Sequence, residues 1–215
     1  MRSFLALVLL TGSLSFAGTI TYVNPAVPSI QQTGNNPCVI GSASCNNPSG
    51  FAYTTVPGGA WTSDYSPYYT VQQLLDIIHN PAFALGLDLN GEGNTTQIVT
   101  RVAMFKNTAN NNPAGDVLVD DWAGTLETLP LGNNGNGYSD VLFKTFSLSG
   151  LPTTTYIRFY LEMSKENGGA ETLFLLGRDG NIITTNGDVV PEPSTGLMLS
   201  SALLGLGAWA RRRRK

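Results

Sequence analysis

Histidine, cysteine and basic residues are scarce in this chain, and each scarcity excludes something. Its 215 residues include one histidine, His79, and two cysteines, Cys38 and Cys45. Any Ser-His-Asp or Cys-His site must be built on His79, which closes an amphipathic segment where a histidine ordinarily complements the helix dipole. A zinc site needs about four ligands, or three and a water, and the one histidine is far along the chain from both cysteines. No Gly-x-Ser-x-Gly elbow occurs, and no glycine-rich phosphate loop follows a strand and opens a helix. These absences leave no complete catalytic motif, and the expectation is a protein that is not an enzyme and needs no cofactor.

Basic residues are also unevenly placed. The net charge of −3 hides a division. Residues 18–190 hold six cations, Arg101, Lys106, Lys144, Arg158, Lys165 and Arg178, against fourteen acids, a net charge of −8. An acidic body repels a phosphate backbone, so nucleic acid is excluded as a partner.

The N-terminus carries Arg2, an apolar stretch from Phe4 to Leu10, and the small-x-small pattern Ser15-Phe16-Ala17. This is the pattern of a signal peptide over residues 1–17, cut before Gly18. Export exposes the chain to an oxidising compartment, so Cys38 and Cys45 are expected to pair across the short loop CVIGSASC. The surrounding residues 18–50 are rich in Pro, Asn, Gly and Ser and read as loop, with one opening strand at Ile20–Val23. The disulfide is expected to pin a local flap there.

One helix stands out. In TVQQLLDIIHNP, Val71, Leu74, Leu75 and Ile78 share a face, Thr70 and Gln73 form a capping box, and Pro81 ends the run. Everything beyond it reads as short strands. Phe83, Leu85, Leu87 and Leu89 alternate with smaller or polar residues. Ile98 to Phe105 is a β-branched-rich run interrupted by Arg101. In TTYIRFYLEM, Ile157, Phe159, Leu161 and Met163 face one way and Tyr156, Arg158, Tyr160 and Glu162 the other. Further strands are expected at 116–119, 126–131, 141–148 and 172–176. Turn clusters such as NGEGN and LGNNGNGYSD separate them. The pattern predicts a mainly β domain over 18–188, an antiparallel, jelly-roll-like β-sandwich with one appended amphipathic helix.

Three sets of residues are candidate sites in the body. Asp88, Asn90 and Glu92 before Gly93 match the first positions of a calcium loop, but Val99 stands where a bidentate acid belongs, so a polar hairpin turn is the competing reading. Asp120, Asp121 and Glu127, near Trp122, could supply the two carboxylates of a glycosidase. Trp61, Tyr65, Tyr68, Tyr69 and Trp122 could be platforms for sugar or could cover one end of the sandwich. A carbohydrate- or calcium-binding module, and a secreted hydrolase, are thus the alternatives to a non-enzymatic surface protein.

The C-terminus, VVPEPSTGLMLSSALLGLGAWARRRRK, has three ordered parts: Pro191-Glu192-Pro193, an uncharged run from Leu197 to Ala210, and Arg211, Arg212, Arg213, Arg214 and Lys215. As a helix the fourteen-residue run spans ~21 Å, short of the ~30 Å hydrocarbon core. Its small residues would let another membrane helix approach closely, and the cations would stay cytoplasmic. The arrangement resembles the PEP-CTERM sorting signal of Gram-negative bacteria over residues 189–215. The resemblance implies that Pro191, Glu192 and Pro193 are recognised by an exosortase-type membrane transpeptidase, and that Arg211–Lys215 is a retention signal. It further implies a C-terminal hydrophobic helix, transit through the inner membrane, delivery to the cell surface or exterior, and extracellular polysaccharide as a companion in the biofilm matrix.

Overall fold

The computed structural model describes residues 18–24, 26, 29–57, 62–90, 96–109, 111–128, 137–165, 169–181 and 183. All of these fall in the first of two units, Met1–Ile183; the second is Thr184–Lys215. The expected signal peptide and C-terminal hydrophobic helix lie outside the described residues.

The strands are β1 Gly18–Thr19, β2 Thr21–Val23, β3 Cys38–Gly41, β4 Thr54–Thr55, β5 Ser63–Tyr65 and β6 Tyr69–Thr70. After helix α1, Val71–Ile78, come β7 Ala82–Asp88, β8 Gln97–Asn107, β9 Val117–Thr128, β10 Val141–Ser147, β11 Tyr156–Lys165 and β12 Thr172–Leu176. They form two six-stranded sheets. The first runs β1-β9-β8-β11-β5 with β6 also on β11, and the second runs β2-β10-β7-β12-β3-β4.

The alternation seen in the sequence explains the core. Val102 and Met104 of β8 and Ile157, Phe159, Leu161 and Met163 of β11 are buried from the first sheet. Phe83, Leu85 and Leu87 of β7, Phe143 of β10 and Leu173 and Leu175 of β12 join the same cluster from the second. The second sheet is covered on its other face as well. Ala84, Leu142, Phe174 and Leu176 meet Ala26 and Ile30 of the N-terminal segment. This is why β12 is buried along its whole length.

That second apolar layer constrains Gly86. A Cβ there would fall 2.7 and 2.8 Å from ring carbons of the fully buried Phe174 and 3.1 Å from Leu176 Cδ1. Gly86→Ala is therefore expected to destabilise by about 1–3 kcal/mol through overpacking. Thermal unfolding checks this, and an unchanged midpoint would mean that Phe174 can move aside.

Helix α1 has the expected capping box. Gln73 N–H donates to Thr70 Oγ1 (3.1 Å) and Thr70 N–H donates to Gln73 Oε1 (2.8 Å). Val71, Leu74 and Ile78 are buried. The helix stops at His79, whose left-handed backbone (φ 56°) lets its N–H reach Leu75 O. Here the lone histidine is an exposed cap.

Three expectations change. Residues 18–50 are largely loop, as expected, with opening strands β1 and β2, but they also hold an unexpected strand, β3, which lies inside the second sheet with all four residues buried. Their asparagines and glutamines do the hydrogen bonding that turn statistics hide. Asn47 Oδ1 accepts from Cys38 N–H (2.8 Å), and its Nδ2 donates to Cys38 O (3.0 Å), so one side chain acts as a neighbouring strand. Gln32 likewise donates to Asn36 O and Asn46 O and accepts from Asn46 N–H. The Cys38–Cys45 disulfide does pin a surface loop, the partly exposed stretch after β3, and it does so by tying that loop to Cys38 on a core strand.

Second, the strands expected at 116–119 and 126–131 are one strand, β9, over the described residues, with 129–131 lying outside them. Asp120, Asp121 and Gly124 break the apolar alternation, and register shifts against β8 absorb the irregularity. Third, the sheets are not wholly antiparallel. β1 pairs with β9, and β3 with β4, in parallel. Both pairings involve two-residue strands reached by non-hairpin connections, which is what parallel pairing requires. The chain passes from one sheet to the other at Ile20, between β1 and β2.

Candidate functional site

Strand β11 builds the most distinctive surface of the molecule. Its inward residues are fully or nearly fully buried, so Tyr156, Arg158, Tyr160 and Glu162 stand on the opposite face, partly accessible. Across the ladder, Arg158 lies opposite Phe105, Glu162 opposite Arg101, and Tyr160 between Ala103 on β8 and Tyr65 on β5. Cross-strand neighbours on one face are close enough to interact directly.

Here they form an alternating array of rings and guanidinium groups. The Arg158 guanidinium lies 3.9 Å from the Tyr65 ring centroid and 5.0 Å from that of Tyr68. Tyr65 meets Tyr160 at 4.5 Å and Phe105 at 6.0 Å. Arg101 lies 5.8 Å from Tyr160 and 5.9 Å from Phe105. Each arginine is also fixed by a carboxylate. Arg101 donates twice to Asp121, at 2.9 and 3.1 Å. Arg158 donates to Asp116 at 3.3 Å, and Tyr68 Oη donates to the same carboxylate at 2.7 Å.

The acid–base properties follow from these contacts. Burial, then the bond to Asp116, raises the Tyr68 phenol; burial likewise raises Tyr160. Both phenols stay protonated donors. The bond to Asp121 raises Arg101 further, so the guanidinium is permanently charged and paired. Glu162 accepts from Thr100 Oγ1 (3.0 Å) and Tyr160 Oη (2.8 Å).

A second feature is a polar pocket of about 240 Å³, lined among others by Gln31, Gln32, Ser44, Asp88, Asn90 and Thr172. It sits where β7 ends, beside three buried acids. Each acid accepts from a different backbone amide: Asp88 from Gly137 (3.1 Å), Asp140 from Leu89 (2.7 Å) and Glu171 from Asn90 (2.5 Å). They satisfy donors that the end of the strand would otherwise bury unpaired. Burial, reinforced by the Asp140 charge and opposed by the Gly137 N–H, pushes the Asp88 carboxyl up to about 7.

The residues singled out from sequence are thus dispersed. Asp88 and Asn90 share the pocket, whereas Glu92 lies outside the described residues. Among the described residues no three His, Cys, Asp or Glu side chains are grouped to hold a metal. Asp120 is buried, Asp121 is held by Arg101 and Glu127 is exposed. Asp121 and Glu127 are separated by about 20 Å of strand, beyond the roughly 5–9.5 Å of a glycosidase pair. Of the aromatics, Tyr65 and Tyr68 join the outer array. Tyr69 is core, stacked on Phe51 at 4.8 Å and donating to Ala52 O, and Trp122 packs on Phe143 at 5.5 Å. Trp61 lies outside the described residues.

Sequence reading missed Phe105, Arg101, Arg158 and Tyr160 as a group. The signal was present in the polar half of the β11 alternation, which is unusually aromatic for a solvent face.

Residues 189–215 match the family described as the PEP-CTERM protein-sorting motif. Pro191, Glu192, Pro193 and Arg211–Lys215 all fall within that match and outside the described residues. No curated protein and no solved structure matches the chain.

Proposed function

We propose that this carrier of a PEP-CTERM motif is an exported, non-enzymatic protein of the cell surface or extracellular matrix, processed at its tail by an exosortase-type membrane transpeptidase. One observation carries the reading: the motif match at 189–215, preceded by an acidic body and a signal-like N-terminus. In this reading residues 1–17 are removed on export. Residues 18–188 are the β-sandwich that remains, its two sheets packed face to face around the shared core. Residues 189–215 hold the chain in the inner membrane until the tail is cut, after which the body reaches the surface or exterior.

A carbohydrate-binding module is the second reading, favoured by the ring-and-guanidinium array on the outer face of the first sheet. Nothing comparable among the described residues favours calcium, although Asp88 and Asn90 would be its ligands if Glu92 completed the set.

Mass determination of the protein recovered from its own host tests the main reading. The expected species begins at Gly18 and ends before Trp209. A steady-state species that retains Trp209 and the five terminal cations would make the tail a plain membrane anchor.

A further inference from the structure

We propose that the outer face around Tyr65, Tyr160 and Arg158 binds an uncharged polysaccharide, an inference that deepens the carbohydrate-binding reading above. Sugars present C–H faces that pack on aromatic rings and hydroxyls that need donors and acceptors beside them. Tyr65, 36% exposed, and the partly exposed Tyr160 offer rings 4.5 Å apart. Glu162, Thr100 and the Tyr160 hydroxyl supply the polar edge within the same patch.

Charge selects among the occupants of such a face. Both arginines are paired, Arg101 with Asp121 and Arg158 with Asp116, so neither is left over for a polyanion. The body's charge of −8 repels one further. Binding of a phosphate or uronate polymer rests on uncompensated Lys and Arg displacing its counterions, and among the described side chains of this face both arginines are already compensated. A protein partner fits poorly too. Tyrosine and arginine are common at protein interfaces but acids are depleted there, whereas here Asp116, Asp121 and Glu162 sit among the rings.

Shape selects a polymer over a free monosaccharide. Small ligands are held in concave sites that bury most of their surface. These rings instead belong to adjacent strands of an open sheet face, where an extended chain can touch several at once. The array is also held in place before any ligand arrives. Arg158 is clamped between Asp116 and the rings of Tyr65 and Tyr68, so little ordering cost is left for binding.

Affinity electrophoresis of the full chain in mild detergent tests this, with gels containing a soluble β-glucan, a glucomannan or dextran, and alginate as the polyanion. At least one uncharged polymer is expected to retard the protein equally at low and high salt. Tyr65→Ala and Tyr160→Ala should each weaken retardation about tenfold or more, the loss typical of a stacked aromatic anchor, while Tyr65→Phe, which keeps the ring, retains it. Thermal unfolding checks that each variant folds. If an alanine variant does not fold, acetylation of the wild-type tyrosines replaces it, and the bound polymer should protect Tyr65 and Tyr160.

The proposal is overturned if no uncharged polymer retards the chain, if only alginate does so and loses its effect in salt, if folded Tyr65→Ala binds as the wild type does, or if the polymer leaves Tyr65 and Tyr160 unprotected. Tail processing is read separately by mass, so failure of either reading leaves the other's result intact.

Discussion

With Pro191 and Pro193 both changed to alanine, the protein is expected to be exported normally and then to accumulate uncut in the inner membrane, a nearly complete loss of processed product. Proline fixes φ and cannot donate to a helix or a ladder, so two of them around Glu192 keep the backbone extended and open to an enzyme. Alanine restores both the amide and the helical propensity, so the motif loses its bias toward extended backbone. The apolar run is unchanged in this variant, so a loss of processing isolates the motif from simple hydrophobicity. Neutral residues in place of Arg211–Lys215 should fail differently. The tail then lacks the cations that resist translocation and slips through before it is held. Fractionation and immunoblotting of inner membrane, outer membrane and medium distinguish the two defects. Normal processing of the double alanine variant would remove the motif from the recognition step.

The second large effect is expected at Asp88. The carboxyl titrates near 7 in the folded protein, against an ordinary 3.8. Between about pH 4 and pH 7 the folded state therefore keeps a proton that the unfolded chain has lost. Stability from this group is complete below the unfolded value, falls as the pH rises through the window, and is level above it. A displacement of about three units corresponds to roughly 4 kcal/mol at most. Asp88→Asn removes the titration yet keeps an oxygen for the Gly137 N–H and ends the repulsion from Asp140. The variant should resemble the wild type near pH 4 and exceed it by a few kcal/mol at pH 8. Denaturant unfolding at the two pH values gives the comparison. Parallel wild-type and variant profiles would show that Asp88 does not titrate in this range.

The legible parts of the chain were those where a local pattern and a tertiary role coincide. Helix α1 could be read with its cap because Thr70, Gln73 and the Val71/Leu74/Ile78 face are all local. The faces of β11 followed from simple alternation. Strand β3, within residues 18–50, was illegible for a physical reason. Asn47 and Gln32 take the place of backbone partners, and composition counts such residues as turn formers. Ala26 and Ile30 gave no periodic signal, although they cover the second sheet. For the site, the tail motif could be read directly because its three parts are contiguous. The outer array could not, since Tyr65, Phe105 and Arg158 come from three strands and meet only through register. The pairing of Arg101 with Asp121 is equally invisible before the ladder is known.

The strands at the sheet margins have a bearing on life at high density. β1 and β5 end the path of the first sheet and β2 and β4 that of the second, with β6 an added branch, and none exceeds three residues. A long open margin is a template onto which another chain can add its own strand, the first step toward fibres. Here β8 and β11 have neighbours on both sides, whereas β9 is paired on its outer side, among the described residues, only where β1 meets Asp120 and Asp121, so the rest of that strand is a margin that another chain could extend. At high local concentration the short margin strands therefore give neighbouring copies little to pair with, and the uncovered length of β9 is where a ladder between copies could still grow.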